Sequence, residues 1–232
     1  MKLAIMQPYF FPYIAYWQLI NAVDVFVIYD DVNYIKSGWI NRNNFLINKE
    51  KKLFSISLFS ASSYKKINEI EIKDNFVKFT KMLKTNYSKA PYFHEVYSLV
   101  ERIISVNEVN LSKFLVNSIQ EISKYLSIST EILISSDIEK SLSLKGQDKV
   151  LYLCEKLHAN DYFNAIGGRV LYDQHAFESK GITLSFIDTE INQYKQLDNE
   201  FVHGLSIIDI LMFNSTESVR EMLGSYRLSK GS

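Results

Sequence analysis

Short apolar runs alternate along the chain with segments whose apolar residues recur at helical spacing. "KLAIMQ" predicts a buried strand and "PYFFPYIAYWQLINA" a turn followed by a helix, with Ile14, Ala15 and Trp17 to Ile20 supplying its apolar faces. Proline is tolerated only in the first helical turn, so this helix is expected to begin near Pro12. "DVFVIYDDV" predicts a second strand, completing a β-α-β unit. "FLINKEKKLFSISLF" then reads as two strands joined by a charged turn near Lys49 to Lys52.

The middle of the chain changes period. Asn75 to Asn86, Phe93 to Val106 and Asn110 to Tyr125 carry helical spacing, with Pro91 separating the first two. After Ser129 the alternation returns: "TEILISS" as strand, "GQDKVLYLCEKLHA" as helix, then "DYFNAI", "LYDQHAFESKG" and "ITLSFID" as strand, helix and strand. "LSIIDILMF" and "STESVREMLGSY" predict terminal helices, the second capped by Ser215 or Thr216. The expected fold class is therefore α/β: a mainly parallel, Rossmann-like sheet flanked by helices, with a helical insertion in the middle. A single α/β domain over residues 1–232 with a helical subdomain at about 74–127 follows.

Charge narrows the partners. Lys plus Arg and Asp plus Glu each number 26, so no broad basic surface points to nucleic acid or anionic lipid. One cysteine, Cys154, cannot form an internal disulfide and shares a helical face with Val150, Leu151 and Leu157, which reads as core. No metal-ligand spacing is present. The N-terminus lacks the pattern of a signal peptide and no apolar run reaches bilayer-spanning length, so a cytoplasmic protein without membrane insertion is expected.

Ligands of open α/β sheets lie beyond the carboxyl ends of the strands, and that rule singles out three stretches. The first, Gln7 to Pro12, offers Gln7, Tyr9 and Tyr13 at its border. The second, "YDDVNYIKSGWINRNN", crowds Asp30, Asp31, Tyr34, Trp39, Asn41 and Arg42 into a loop, where a ring face beside a guanidinium suits a sugar phosphate and a carboxylate suits a proton acceptor. A strand-end dipeptide diverges, so one Asp is expected to face the cleft while the other satisfies backbone N–H groups, with Asp30 favoured as base over Asp31. The third, Gly167, Gly168 and Arg169, puts glycines before a helix where backbone N–H groups can approach phosphate. Near the C-terminus, Tyr194, Gln196, His203, Ser206 and Asp209 concentrate polar groups ahead of an apolar helix, with helix capping the plain alternative for Ser206.

The stretches "QPYFFPYIAYWQLI", "DVFVIYDDVNYIKSGWINRN", "YFNAIGGRVLY" and "QYKQLDNEFVHGLSIIDILMFN" resemble the WbqC-like protein family along nearly the whole chain. That family is associated with gene clusters for O-antigen and other surface polysaccharides, so the resemblance implies a role in making or modifying an activated sugar. The opening is also similar to nucleotidylyltransferase-type folds, but "PYIAY" stands where those carry histidines, which argues against adenylate-forming chemistry. The expected reaction is transfer of an acyl or aminoacyl group onto an amino sugar, with Asp30, Asp31 or His203 accepting the proton and Arg42 and Arg169 facing phosphates. Its donor is left open between acyl-CoA and, for an amide ligase, ATP with magnesium. A sugar-nucleotide binding protein without turnover is the non-enzymatic alternative, and a homodimer is one option for the assembly.

Overall fold

The computed structural model describes residues 1–141, 143–190, 193–197 and 200–230. In chain order, β1 (Lys2–Met6), α1 (Ile14–Asn21) and β2 (Val25–Ile28) form the expected β-α-β unit. A hairpin of β3 (Arg42–Ile47) and β4 (Glu50–Ser55) follows, then a short antiparallel pair, β5 (Leu58–Phe59) and β6 (Glu71–Ile72). The helices α2 (Val77–Tyr87), α3 (Phe93–Ile104) and α4 (Leu111–Tyr125) lead to β7 (Glu131–Ile134) and α5 (Gly146–Lys156). The chain continues through β8 (Asp161–Ala165), α6 (Gln174–Glu178), β9 (Thr183–Thr189), α7 (Ile207–Phe213), α8 (Thr216–Leu223) and β10 (Tyr226–Lys230).

The principal sheet has the order β10-β9-β8-β1-β2-β7, parallel throughout except for the antiparallel edge strand β10. Period-two alternation along β1 and β2 sends Leu3, Ile5, Val25 and Val27 to a core under α5 and α6. Ala4, Phe26 and Ile28 enter a larger core on the opposite face with α1, α2 to α4, α7 and α8. Burial on both faces explains why these strands read as nearly unbroken apolar runs. Within the first core, burial pushes the Cys154 thiol up to about 12, leaving it an inert packing group. β2 and β7 pair in parallel although about 100 residues separate them, so the hairpin and α2 to α4 form an excursion over one face.

Three boundaries differ from the expectation. The β3–β4 turn falls at Asn48 and Lys49, both at positive φ, so it takes only the first residue of the charged run, because asparagine accepts the left-handed conformation and Glu50 to Lys52 extend as strand. The first helix starts at Ile14 rather than Pro12. The last helix ends at Leu223, and the chain turns at Gly224 into β10, an edge strand whose polar sequence gives little periodic signal.

The chain runs outward from β1 through β2 to β7, returns to β8 on the other side of β1, and runs outward again. The strand order therefore reverses between β1 and β8, where the connections diverge and leave a crevice.

Candidate functional site

The carboxyl end of β1 is shaped by hydrogen bonds that hold an unusual backbone. Phe11 has φ of 42°, and its carbonyl accepts from Asn43 Nδ2 at 2.7 Å and Ser206 Oγ at 2.7 Å. Asn43 also donates to the Phe10 carbonyl at 3.1 Å, while the Phe10 N–H donates to Ile40 at 3.0 Å. Phe10 and Phe11 are thereby driven into an aromatic cluster with Phe45 and Phe79. Ser206 additionally caps α7, accepting from the Ile208 N–H, so its hydroxyl has a structural role.

The same kink leaves Tyr9 and Tyr13 beside open space. Gln7, Pro8, Tyr9, Ile35 and Trp39 border a recess of about 400 Å³. Tyr9 and Trp39 also border a second recess of about 340 Å³ with Tyr13, Asn44 and Lys51. Tyr13 and Gly204 connect this one to a third, of about 190 Å³, between Tyr194, Phe201 and His203. These shared walls make one groove, whose last recess reaches Thr189 at the end of β9. The groove thus lies along the carboxyl edge of the sheet beside the reversal in strand order.

Trp39 is 52% exposed, whereas the other tryptophan, Trp17, is fully buried and donates to the Pro12 carbonyl. Arg42 sits 5.9 Å from the Trp39 ring and donates from Nε to the Gly38 carbonyl at 2.7 Å, so it braces the loop carrying Trp39. Tyr34 donates to Asn41 Oδ1 at 2.8 Å and Asn41 Nδ2 donates to the Ile56 carbonyl at 2.8 Å. Tyr34 and Asn41 consequently anchor the hairpin beneath the groove, while Trp39 supplies its surface.

At the far end, Asp209 is fully buried on α7 and accepts from Tyr194 at 2.7 Å, Gln196 Nε2 at 2.7 Å and Tyr87 at 2.9 Å. Burial raises its carboxyl to about 6 although all three hydrogen bonds pull downward. Tyr194 is pushed well up by burial and then by the Asp209 charge. His203 is exposed at the groove rim, and its carbonyl accepts from Lys51 Nζ.

The two adjacent aspartates diverge as the sequence suggests, but in the order opposite to the one favoured there. Asp30 is buried and accepts from the Ser136 N–H at 2.9 Å, Ser136 Oγ at 2.7 Å and Ser112 Oγ at 3.3 Å, which ties β2 to β7 and α4. Asp31 instead borders a separate pocket of about 340 Å³ and pairs with Lys140 and Lys149, each at 2.9 Å. Burial pushes its carboxyl up, but hydrogen bonds from Lys149, Ser135 and Lys140 outweigh this and hold it below the usual carboxylate range. Its lone pairs are already engaged, which leaves neither aspartate turned toward the aromatic groove.

Gly167, Gly168 and Arg169 form a 3-10 turn after β8. A Cβ on Gly168 would come 2.8 Å from Asn164 Oδ1, so close packing against β8 requires this glycine. Arg169 lies over the Phe186 ring and donates to Ser229 Oγ at 2.6 Å and the Lys230 carbonyl at 3.3 Å. Its Nη2 is thus tied to β10, while its buried Nε has no partner among the described residues. Sequence reasoning missed Asn44 and Lys51, which tertiary packing alone brings to the groove. It also missed Lys66, Lys140, Lys145 and Lys149 around Asp31. Three of those lysines flank the start of a helix that follows a strand, a placement that marks a sheet's carboxyl edge.

A six-stranded, mostly parallel sheet flanked by helices on both faces defines an α/β fold. The chain belongs to the WbqC-like protein family, which matches residues 7–221 and is associated with O-antigen-related biosynthesis. It is 30% identical over 215 residues to the uncharacterized protein Rv1507c of Mycobacterium tuberculosis (strain ATCC 25618 / H37Rv), covering 90% of this chain and 92% of that relative. No solved structure matches the chain. Among the described residues no helix is long and apolar enough to cross a membrane, and no group of metal-ligating side chains converges.

Proposed function

We propose that the protein is a cytoplasmic enzyme of surface-polysaccharide assembly that transfers an acyl or aminoacyl group onto the amine of a nucleotide-linked amino sugar. The observation that carries this reading is the groove itself. It joins a stacking wall of Tyr9, Tyr13 and Trp39 to an end where His203 stands exposed beside Tyr194 and the Asp209 network. Aromatic faces bind the apolar faces of sugar rings, and polar groups at the border select hydroxyls. Membership in the WbqC-like family, which is associated with O-antigen-related biosynthesis, supports a place in surface-polysaccharide assembly.

In this reading the free amine attacks the acyl carbonyl carbon, a C–N bond forms, and the C–S bond of an acyl-CoA breaks. The amine proton passes to the His203 imidazole and from there to the departing thiolate. His203 takes this role because Asp30 and Asp31 are engaged elsewhere. Tyr194, held by Asp209, fixes the wall beside it and positions the sugar.

The test is incubation of the protein with a panel of nucleotide-linked amino sugars and either acyl-CoA or ATP, magnesium and amino acids, with products read by mass. An acylated sugar nucleotide formed from acyl-CoA is expected, with turnover reduced about a hundredfold in His203→Ala and ligand-induced quenching of tryptophan fluorescence abolished in Trp39→Phe. Phosphate or pyrophosphate release with the amide product would make the enzyme a ligase. Saturable sugar-nucleotide binding that consumes neither donor would overturn the enzymatic reading.

A further inference from the structure

The pocket beside Asp31 lies outside the aromatic groove and has a composition of its own. Four lysines border it: Lys66 from the segment between β5 and β6, Lys140 and Lys145 from the β7–α5 connection, and Lys149 from α5. Asp31 is the one carboxylate on its wall among the described residues, so that lining carries three positive charges in excess in a chain whose net charge is zero. Asp31 compensates Lys140 and Lys149, which are nearly buried. Lys66 and Lys145 have no carboxylate within 4 Å among the described residues.

Bringing ammonium groups together in a partly dehydrated recess is unfavourable unless an anion balances them. Burial lowers Lys149 first of all, and the neighbouring Lys140 and Lys66 charges add to that effect, opposing the support from Asp31. The backbone contributes in the same sense. Lys145 caps α5 without a side-chain acceptor, and Gly146 opens the helix at φ of 50° with nothing within 4 Å of where a Cβ would stand. The first N–H groups of α5 therefore add their partial positive charge to the wall formed by Lys145 and Gly146. Tyr29 also borders the pocket, with the Lys149 ammonium 4.8 Å from its ring centre.

We propose that this four-lysine pocket is a binding site for the diphosphate group of a phosphorylated ligand, with Lys66 and Lys145 as its unpaired cationic contacts and Asp31 holding Lys140 and Lys149 in place behind them. That the diphosphate belongs to the carrier of the sugar rests on the reading above; the anion site itself does not. Neither Arg42 nor Arg169 borders this pocket, whose four lysines gather positive charge at the carboxyl edge of β2 and β7.

The test uses inorganic pyrophosphate as the probe, titrated into the full chain by calorimetry at low and high salt. Saturable binding that weakens with ionic strength is expected. Lys66→Gln combined with Lys145→Gln should raise its Kd at least about tenfold, the loss of a charge-assisted hydrogen bond or more. Lys113→Gln combined with Lys124→Gln removes the same charge from the exposed face of α4 and should leave the Kd unchanged. Thermal melts of both doubles check that the fold persists. Parallel titrations with uridine diphosphate and a short polyprenyl diphosphate distinguish a nucleoside-linked from a lipid-linked source, and either loses affinity in the Lys66/Lys145 double. Absence of saturable pyrophosphate binding up to roughly 10 mM, or an equal Kd in the wild type and that double, overturns the proposal. Because the readout needs no turnover, failure to detect sugar acylation leaves this result standing, and the converse holds.

Discussion

Asn43 Nδ2 donates to the Phe11 carbonyl at 2.7 Å, and this contact joins the hairpin to the kink that follows β1. The same amide reaches the Phe10 carbonyl, so one side chain satisfies two buried acceptors beside a residue at positive φ. Asn43→Ala should destabilise the protein by about 2–3 kcal/mol, because both carbonyls lose a buried partner. Asn43→Asp should cost more, since it presents an acceptor to acceptors. Urea denaturation measures both; a loss below about 0.5 kcal/mol for the alanine variant would show that the kink is held by Ser206 and packing alone.

Tyr16 shows the opposite situation. Its ring meets Tyr9 and Phe26 edge-on, at 5.1 Å and 5.2 Å between centres, but its buried hydroxyl has no partner among the described residues. Tyr16→Phe keeps the ring contacts and removes the orphan oxygen, so it should stabilise by about 1 kcal/mol. Chemical denaturation of this variant is the check, and a loss of stability would mean that the hydroxyl is hydrogen-bonded.

Asp209 should make stability depend on mildly acidic pH. Its carboxyl is raised from an ordinary value of 3.8 to about 6, so the native state holds a proton that the unfolded chain releases between those values. The associated stabilisation is complete below about pH 4 and disappears as pH rises through about 6, an effect of about 3 kcal/mol. Denaturation from pH 4 to 7 should contain this component in the wild type and lack it in Asp209→Asn. Equal pH slopes for the two proteins would remove Asp209 as its source.

The sequence by itself determined the elements of the principal sheet from β1 to β9 and the helices around them. Local periodicity is enough for that: Leu3 and Ile5 on one face of β1 and Ala4 on the other already require covers on both sides. It also placed Gln7, Tyr9, Tyr13 and Trp39 near the carboxyl end of β1, where they border open recesses. Tertiary structure alone decided what each polar side chain does there. Asp30 and Asp31 are adjacent in sequence, yet one closes the seam between β2 and β7 and the other meets lysines more than 100 residues away. Arg169 could be assigned only once β10 was in place, because Ser229 and Lys230 take its hydrogen bonds. Asp209 becomes a carboxyl with a raised pKa only through its burial, and its partners come from α2, in Tyr87, and from one segment after β9, in Tyr194 and Gln196. A strand or helix is specified by neighbours a few residues apart, whereas the charge state and partners of a buried polar group depend on contacts that exist only after the chain has closed on itself.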